Sequence, residues 1–387
     1  MKYWRGFIAA AIIALCSWAL LAFAASHSTL VDMVYPYVSR MLQTSLADWT
    51  GGADFLLWQV LLAVLLVGMI ASAVLMILLR WNFFQWLGWI LTGVSIVFFL
   101  HTATYGLNKY AGCIAGDIRM NTTEYTLEEI NDATIYFRDK ANELAPQVTR
   151  DSKGNADFSS FEALASQAGE GYRSLIYDKS YSIFAGSLVP VKELNWTGLY
   201  TPRGVSGVTI SLTGESAVNP KTPDVALPFA MCHEMAHRMS ISADGDADFS
   251  AFLACQANSS LEFQYSAYVM AYRNCIGAMT SINSNAANEA IRTITAGVSD
   301  LLAKDLKQCN RFNNDEIPAP NRISGLTEEG SRETACDLLV SWYIQEFILP
   351  IQIETDTKFD PYDETKVDLS GIVNAKKEEE TNATNGQ

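Results

Sequence analysis

Apolar residues dominate the first hundred positions and then fall into a spaced pattern, with the change near residue 108. Before it lie three nearly unbroken apolar runs, at about 7–25, 55–79 and 83–105. Each has the roughly 20 residues an α-helix needs to cross the hydrocarbon layer, so all three are predicted as transmembrane helices. The second run holds no charged residue, and Arg80-Trp81-Asn82 separates it from the third. Trp81, Phe83, Phe84, Trp86 and Trp89 crowd that break, as at a membrane–water boundary, so the pair is expected to be a helical hairpin. His101 is expected to pack or to sit at the interface rather than to relay protons. The first run has a second reading as a secretory signal, because Ala22-Phe23-Ala24 has the small-x-small form of a cleavage site. Residues 27–54, with mixed charges and a Trp49-Thr50-Gly51-Gly52 turn, are expected to form a loop.

Beyond 108 the spacing becomes that of amphipathic helices. One is predicted over 126–144 behind the cap Thr126-Leu127-Glu128-Glu129, and another over 158–172. Pro190, Pro202, Gly204, Gly207 and Pro220 break up residues 185–222, within which Val208-Thr209-Ile210-Ser211-Leu212 alternates like a short strand. Pro228 opens a helix ending by 240–242, and Asp244-Gly245-Asp246 reads as a turn. Further helices are expected over 247–279 with a break at Asn258, over 284–306 with Ser284 as cap, and over 328–349. From 354 charge and small polar residues prevail, which predicts a disordered tail over 354–387. The domains expected are therefore a membrane domain at 1–107, a folded domain at 108–353 and the tail. The fold class is mainly α with a small β element.

Composition sharpens this picture in two places. The 387 residues are 49% hydrophobic and 18% charged, too apolar for an ordinary soluble chain. The net charge of −15 excludes nucleic acid as a partner, because phosphate binding needs clustered Lys and Arg. Lys2 and Arg5 before the first run and Arg80 between the other two place those points in the cytoplasm by the positive-inside rule. The protein is thus expected in the cell membrane, multi-pass, with a cytoplasmic N-terminus and an extracytoplasmic C-terminal domain. Six of the seven cysteines lie beyond residue 110 with no C-x-x-C, which suits either disulfides or buried thiols.

The chemistry centres on Cys232-His233-Glu234-Met235-Ala236-His237, an H-E-x-x-H sequence. On a helix, His233 and His237 share one face and can present two imidazoles to one metal ion. Glu234 stands beside them, placed to take a proton from an attacking water and pass it to a leaving amine. A catalytic Zn²⁺ needs three protein ligands and one open position. No histidine follows His237, so the third ligand must be acidic, and Asp244, Asp246 and Asp248 are the nearest. The helix is too short and too polar beyond Ala236 to lie within the bilayer. The predicted strand could hold a peptide substrate along its edge, or be a plain structural hairpin.

The block from Leu227 to His237, followed by Asp246-Ala247-Asp248-Phe249-Ser250-Ala251, resembles the bacterial membrane-anchored, zincin-like family called domain of unknown function 3810. That family's pattern runs H-E-x-A-H, a short loop, then E-A-N-F-x-A. Gly214-Glu215-Ser216-Ala217-Val218-Asn219 matches its G-E-x-x-x-N block, and Tyr265-Ser266-Ala267-Tyr268 and Trp342-Tyr343 are similar to other parts of it. The resemblance implies membrane spans followed by a mostly helical zincin-like metallopeptidase domain. It puts the family's glutamate on Asp246, as third zinc ligand or helix cap, and its asparagine on Asp248, orienting a histidine from outside the ligand shell. Asp244 is the reserve ligand. The chain departs from the family in carrying Asp for Glu at 246, and it lacks a glycine at 240. Tyr265, Tyr268 and Tyr272 form a stripe that is core or supplies one phenol, Tyr268, to a developing oxyanion. Glu215 and Asn219 are expected to shape the cleft or to bond to backbone rather than to do chemistry. The expected function is a membrane-anchored zinc metallopeptidase acting on peptides or proteins, and the alternative is an inactive zincin-like scaffold or metal-binding module.

Overall fold

Four long helices organise the N-terminal third of the computed structural model, which describes residues 2–282, 284–313, 317–324 and 331–349. Three are long and apolar enough to cross a membrane: α1 (Arg5–Ser26), α3 (Leu57–Leu78) and α4 (Phe83–Thr104). α1 and α4 run parallel. Near their starts Gly6 and Gly88 touch so closely that a Cβ on Gly6 would lie 2.5 Å from the Gly88 carbonyl carbon. Thr92 clamps the same point by donating to the Gly6 carbonyl at 2.9 Å. At the other end Ala24 packs with Leu107 and Val31.

The expected loop at 27–54 is instead α2 (Ser28–Gly51), a 24-residue helix. Its mixed charge and Pro36 hide the pattern, because its faces are reversed relative to an ordinary amphipathic helix. Ser39, Arg40, Gln43 and Thr50 are buried, whereas Leu30, Met33, Val34, Tyr37, Val38 and Met41 are exposed.

The rest is mainly helical, and the first compact unit, Met1–Trp342, includes it together with the apolar helices. The helix Leu127–Leu144 begins in the expected capping box of Thr126 and Glu129. It packs against Leu261–Ser281, with Phe161–Asp178, Leu227–Arg238 and Asp244–Ala257 completing the core around Phe137, Phe252 and Tyr172. Asn258 interrupts the chain as expected, its side-chain oxygen accepting from the Ser260 amide at 2.9 Å. The predicted helix over 284–306 is two helices, Asn285–Ala296 and Asp300–Phe312. Gly297 ends the first, and the Ser299 hydroxyl caps the second. The helix expected over 328–349 runs over Ala335–Tyr343, followed by a π-helical turn at Ile344–Ile348 in the second unit, Tyr343–Gln387. The predicted tail at 354–387 lies outside the described residues.

A three-stranded sheet of order β1-β3-β2 supplies the β element, with β1 at Lys192–Glu193, β2 at Gly207–Ile210 and β3 at Glu215–Val218. β2 pairs antiparallel to β3, with Thr209 opposite Ser216, and is an outer strand. Glu215 joins this sheet to α3. Its carboxylate accepts the Leu57 and Trp58 amides at 2.8 and 2.9 Å, satisfying two first-turn donors and opposing the helix dipole. Lys192 neutralises it at 2.8 Å.

Candidate metal centre

Leu227–Arg238 carries His233, Glu234 and His237. Pro228 sits in its first turn, where a missing amide proton costs nothing. Phe229, Met231, Cys232, Met235 and Ala236 anchor the helix in the core. One helical turn apart, the two imidazoles lie with centroids 4.6 Å from each other. Each is oriented through Nδ1. His233 donates to the Asp248 carboxylate and His237 to the Ile241 carbonyl, both at 2.8 Å. Both Nε2 atoms are thereby left as the available ligand atoms, and the acceptors fix the ring planes.

The Ile241 carbonyl reaches His237 because the chain reverses at Ser240, whose φ of 70° is left-handed. The Ile241 amide bonds the Ala236 carbonyl at 3.2 Å, closing the helix in a Schellman turn. Glycine fits that conformation best. Here Ser240 is held by its hydroxyl, 2.9 Å from that of Ser39 on α2. Arg40 on α2 donates to the Met239 carbonyl at 3.2 Å, placing a cation at the helix C-terminus.

The acidic cluster is arranged differently from its reading as a turn. Asp244–Ala257 begins at Asp244, so Asp244 and Asp248 share a face one turn apart while Asp246 points elsewhere. Asp244 Oδ1 lies 3.5 Å from His237 Nε2, and ligand atoms of His233, His237 and Asp244 lie within 4.8 Å of one another. Asp246 is buried and turned away. It pairs with Arg332 and accepts from the Ile114 amide at 3.3 Å and the Cys113 thiol at 3.5 Å. The expectation that Asp246 meets the histidines is therefore corrected: the reserve residue, Asp244, occupies that position. Asp248 accepts from His233 and is braced on its far side by Asn274 at 3.3 Å.

Burial by itself would lower the pKa of His233, but the Asp248 hydrogen bond and the charges of Asp248, Glu234 and Asp244 outweigh it and raise it to about 9. The His237 hydrogen bond holds Asp244 below the ordinary carboxylate range. Three carboxylates around two imidazoles make a cation-seeking site, and the donor set of two nitrogens and one oxygen suits zinc.

Glu234 is buried against the sheet. Its Oε2 accepts from the Thr209 hydroxyl of β2 at 2.7 Å, and its backbone carbonyl accepts from Ser216 of β3 at 2.9 Å. Gly207 makes room for it, since a Cβ there would lie 2.5 Å from Glu234 Cγ. An open cleft of about 480 Å³ runs along β2, lined by Gly207, Val208, Thr209, His233, Glu234, His237, Asp244 and Tyr105. Tyr105, just past the end of α4, donates to the His237 carbonyl at 3.1 Å. Nothing local marks Tyr105 in the sequence, since it closes an apolar run. Tyr268 is not in the cleft. It is buried against Tyr136 and Phe252, with ring centroids 6.2 and 6.0 Å away, and Gln256 meets its hydroxyl, so the oxyanion reading is replaced by a core role. Tyr265 is likewise core, its hydroxyl 2.6 Å from Asp305. Asn219 shapes the loop before the site, donating to the Val205 carbonyl at 3.0 Å. All seven cysteines are free thiols, and Cys232 packs in the core.

These features define a mainly helical protein with apolar N-terminal helices compatible with membrane association and a His-His-Asp cluster in a cleft. Over residues 31–323 the chain matches a family described as protein of unknown function, DUF3810, and it belongs to that family. No curated protein and no solved structure matches it.

Proposed function

We propose that the protein is a membrane-anchored zinc-dependent metallopeptidase with His233, His237 and Asp244 as zinc ligands. The observation that carries this reading is the pair of Nε2 atoms freed by Asp248 and Ile241, beside a carboxylate and a buried Glu234. Zinc bound there would supply the Lewis acidity that makes water a competent nucleophile near neutral pH. Glu234, steered by Thr209, takes the proton of the attacking water and returns it to the departing amine. Asp248 and Ile241 hold the imidazoles, so little reorganisation accompanies the reaction. β2 offers an outer strand on which an extended peptide adds by backbone hydrogen bonds, passing its scissile bond in front of Glu234.

The three apolar helices are proposed to span the bilayer. Parallel packing of α1 and α4 supports the orientation, because it puts Arg5 and the Arg80 turn on one side. The positive-inside rule makes that side cytoplasmic and the cleft extracytoplasmic.

Elemental analysis of the purified full chain tests the site. About one zinc per chain is expected, lost in His233→Ala and kept in Glu234→Gln. Cleavage of an unstructured polypeptide should be abolished in both. Equal cleavage by zinc-loaded Glu234→Gln would overturn the peptidase reading.

A further inference from the structure

α2 faces outward with the wrong chemistry for water. Leu30, Met33, Val34, Tyr37, Val38 and Met41 recur at helical spacing along one exposed stripe. The opposite face is polar and bonded. Ser39 donates to the Thr104 carbonyl at 2.9 Å and Gln43 to the Ser211 carbonyl at 2.9 Å.

The partners of α2 fix its level. At its start Val31 packs with Ala24 and Leu107, at the closing ends of α1 and α4. In its middle Ser39 meets Thr104 and Asn108, at the same end of α4. At its finish the Thr50 carbonyl shares Lys192 with the Phe55 carbonyl, just before α3 opens. A 24-residue helix is about 36 Å long, and this one meets the same ends of the apolar helices throughout its length. It therefore lies across them rather than along them. Exposed apolar residues of the folded part also lie beside α3 and α4. Trp196 packs edge-on to Trp58 of α3 with centroids 6.2 Å apart, and Leu212 follows Ser211, whose hydroxyl bonds His101 of α4 at 2.9 Å.

We propose that α2, with Trp196, Leu199 and Leu212, lies in the headgroup layer of the membrane, so that the cleft takes polypeptides anchored in that same membrane and cuts them just outside it. The proposal rests on the peptidase reading above. An amphipathic helix in the interface buries such a stripe in the acyl boundary, and aromatic residues favour that depth. The direction of β2 sets the reach. Its Ile210 end leads to Ser211 and Leu212 beside α4, and its Gly207 and Thr209 face Glu234. A substrate strand on β2 leaves the lipid near Leu212 and presents its scissile bond about three to five residues on. At about 3.3 Å per residue, with the headgroup layer added, cleavage falls roughly five to seven residues beyond the substrate's own hydrophobic anchor.

Two measurements on the full chain in phosphatidylcholine–phosphatidylglycerol vesicles test this. In the first, a Cys16→Ala, Cys113→Ser background carries a fluorophore on Met33→Cys, Leu199→Cys or, as control, the exposed Glu289→Cys of Asn285–Ala296. Lipids with a shallow spin label should quench the labels at 33 and 199 and spare the one at 289. Equal quenching at all three, or none at 33 and 199, overturns the interfacial placement. In the second, one unstructured cassette is joined to a single-span anchor through a spacer of about 5 or about 30 residues, or left unanchored. The short spacer should be cut at least about tenfold faster than the long one, which shares its membrane concentration. Equal rates for both spacers, or for the unanchored cassette, overturn this proposal and leave the peptidase reading standing. Cleavage of none of the three by zinc-loaded protein overturns both.

Discussion

Nδ1 of His233 donates to Asp248 at 2.8 Å, and this bond decides which nitrogen of the imidazole faces the cluster. Asp248→Asn should weaken zinc binding by about 10- to 100-fold while leaving the fold intact. Titration against a competing chelator measures this. An unchanged affinity would show that Asp248 has no part in orienting the ring.

The same bond predicts a pH dependence in zinc-free protein. Folding raises the pKa of His233 from 6.5 to about 9, so protonated His233 favours the folded state. That stabilisation is fully present below about 6.5 and disappears as pH rises through about 9, on the order of 3 kcal/mol across the window. Thermal melts of zinc-free protein between those limits should fall with pH, and Asp248→Asn should flatten the slope.

Asp244 and Asp246 should separate function from stability. Asp244→Asn is expected to lose zinc, with little change in the melting temperature of the zinc-free protein. Asp246→Ala strands Arg332 and the Ile114 amide and should cost about 3 kcal/mol by denaturant unfolding, with zinc retained in the folded fraction. The reverse outcome would restore Asp246 as the ligand.

Gly207→Ala tests the seat of Glu234. The added Cβ would lie 2.5 Å from Glu234 Cγ and must displace that side chain or β2. Zinc content should stay normal and hydrolysis should fall about 100-fold or more. Normal hydrolysis would mean that Glu234 does not act from this position.

Much of this was legible in residue spacing. The three apolar runs, the strand at Val208, the break at Asn258 and the H-E-x-x-H helix each follow from a local rule. The rest was not, for different reasons. In α2 the polar residues face inward, so the usual association of polarity with exposure points to a loop. The family's pattern puts its glutamate on Asp246, but the helix starts at Asp244 rather than after a turn, which sets Asp244 and Asp248 on one face and Asp246 on another. Tyr105 and Thr209 reach the cleft through tertiary packing, which no local spacing encodes.

Arg40 and Gln43 give the inner face of α2 one more meaning. They bond the Met239 and Ser211 carbonyls, at the end of the histidine helix and beyond β2. A chain shortened to begin at Asn108 would lack both donors, leaving the carbonyls at the end of the histidine helix and beyond β2 without them. The folded part and the helices before it are therefore one structural unit, and the end of the histidine helix depends on residues that precede it in the chain.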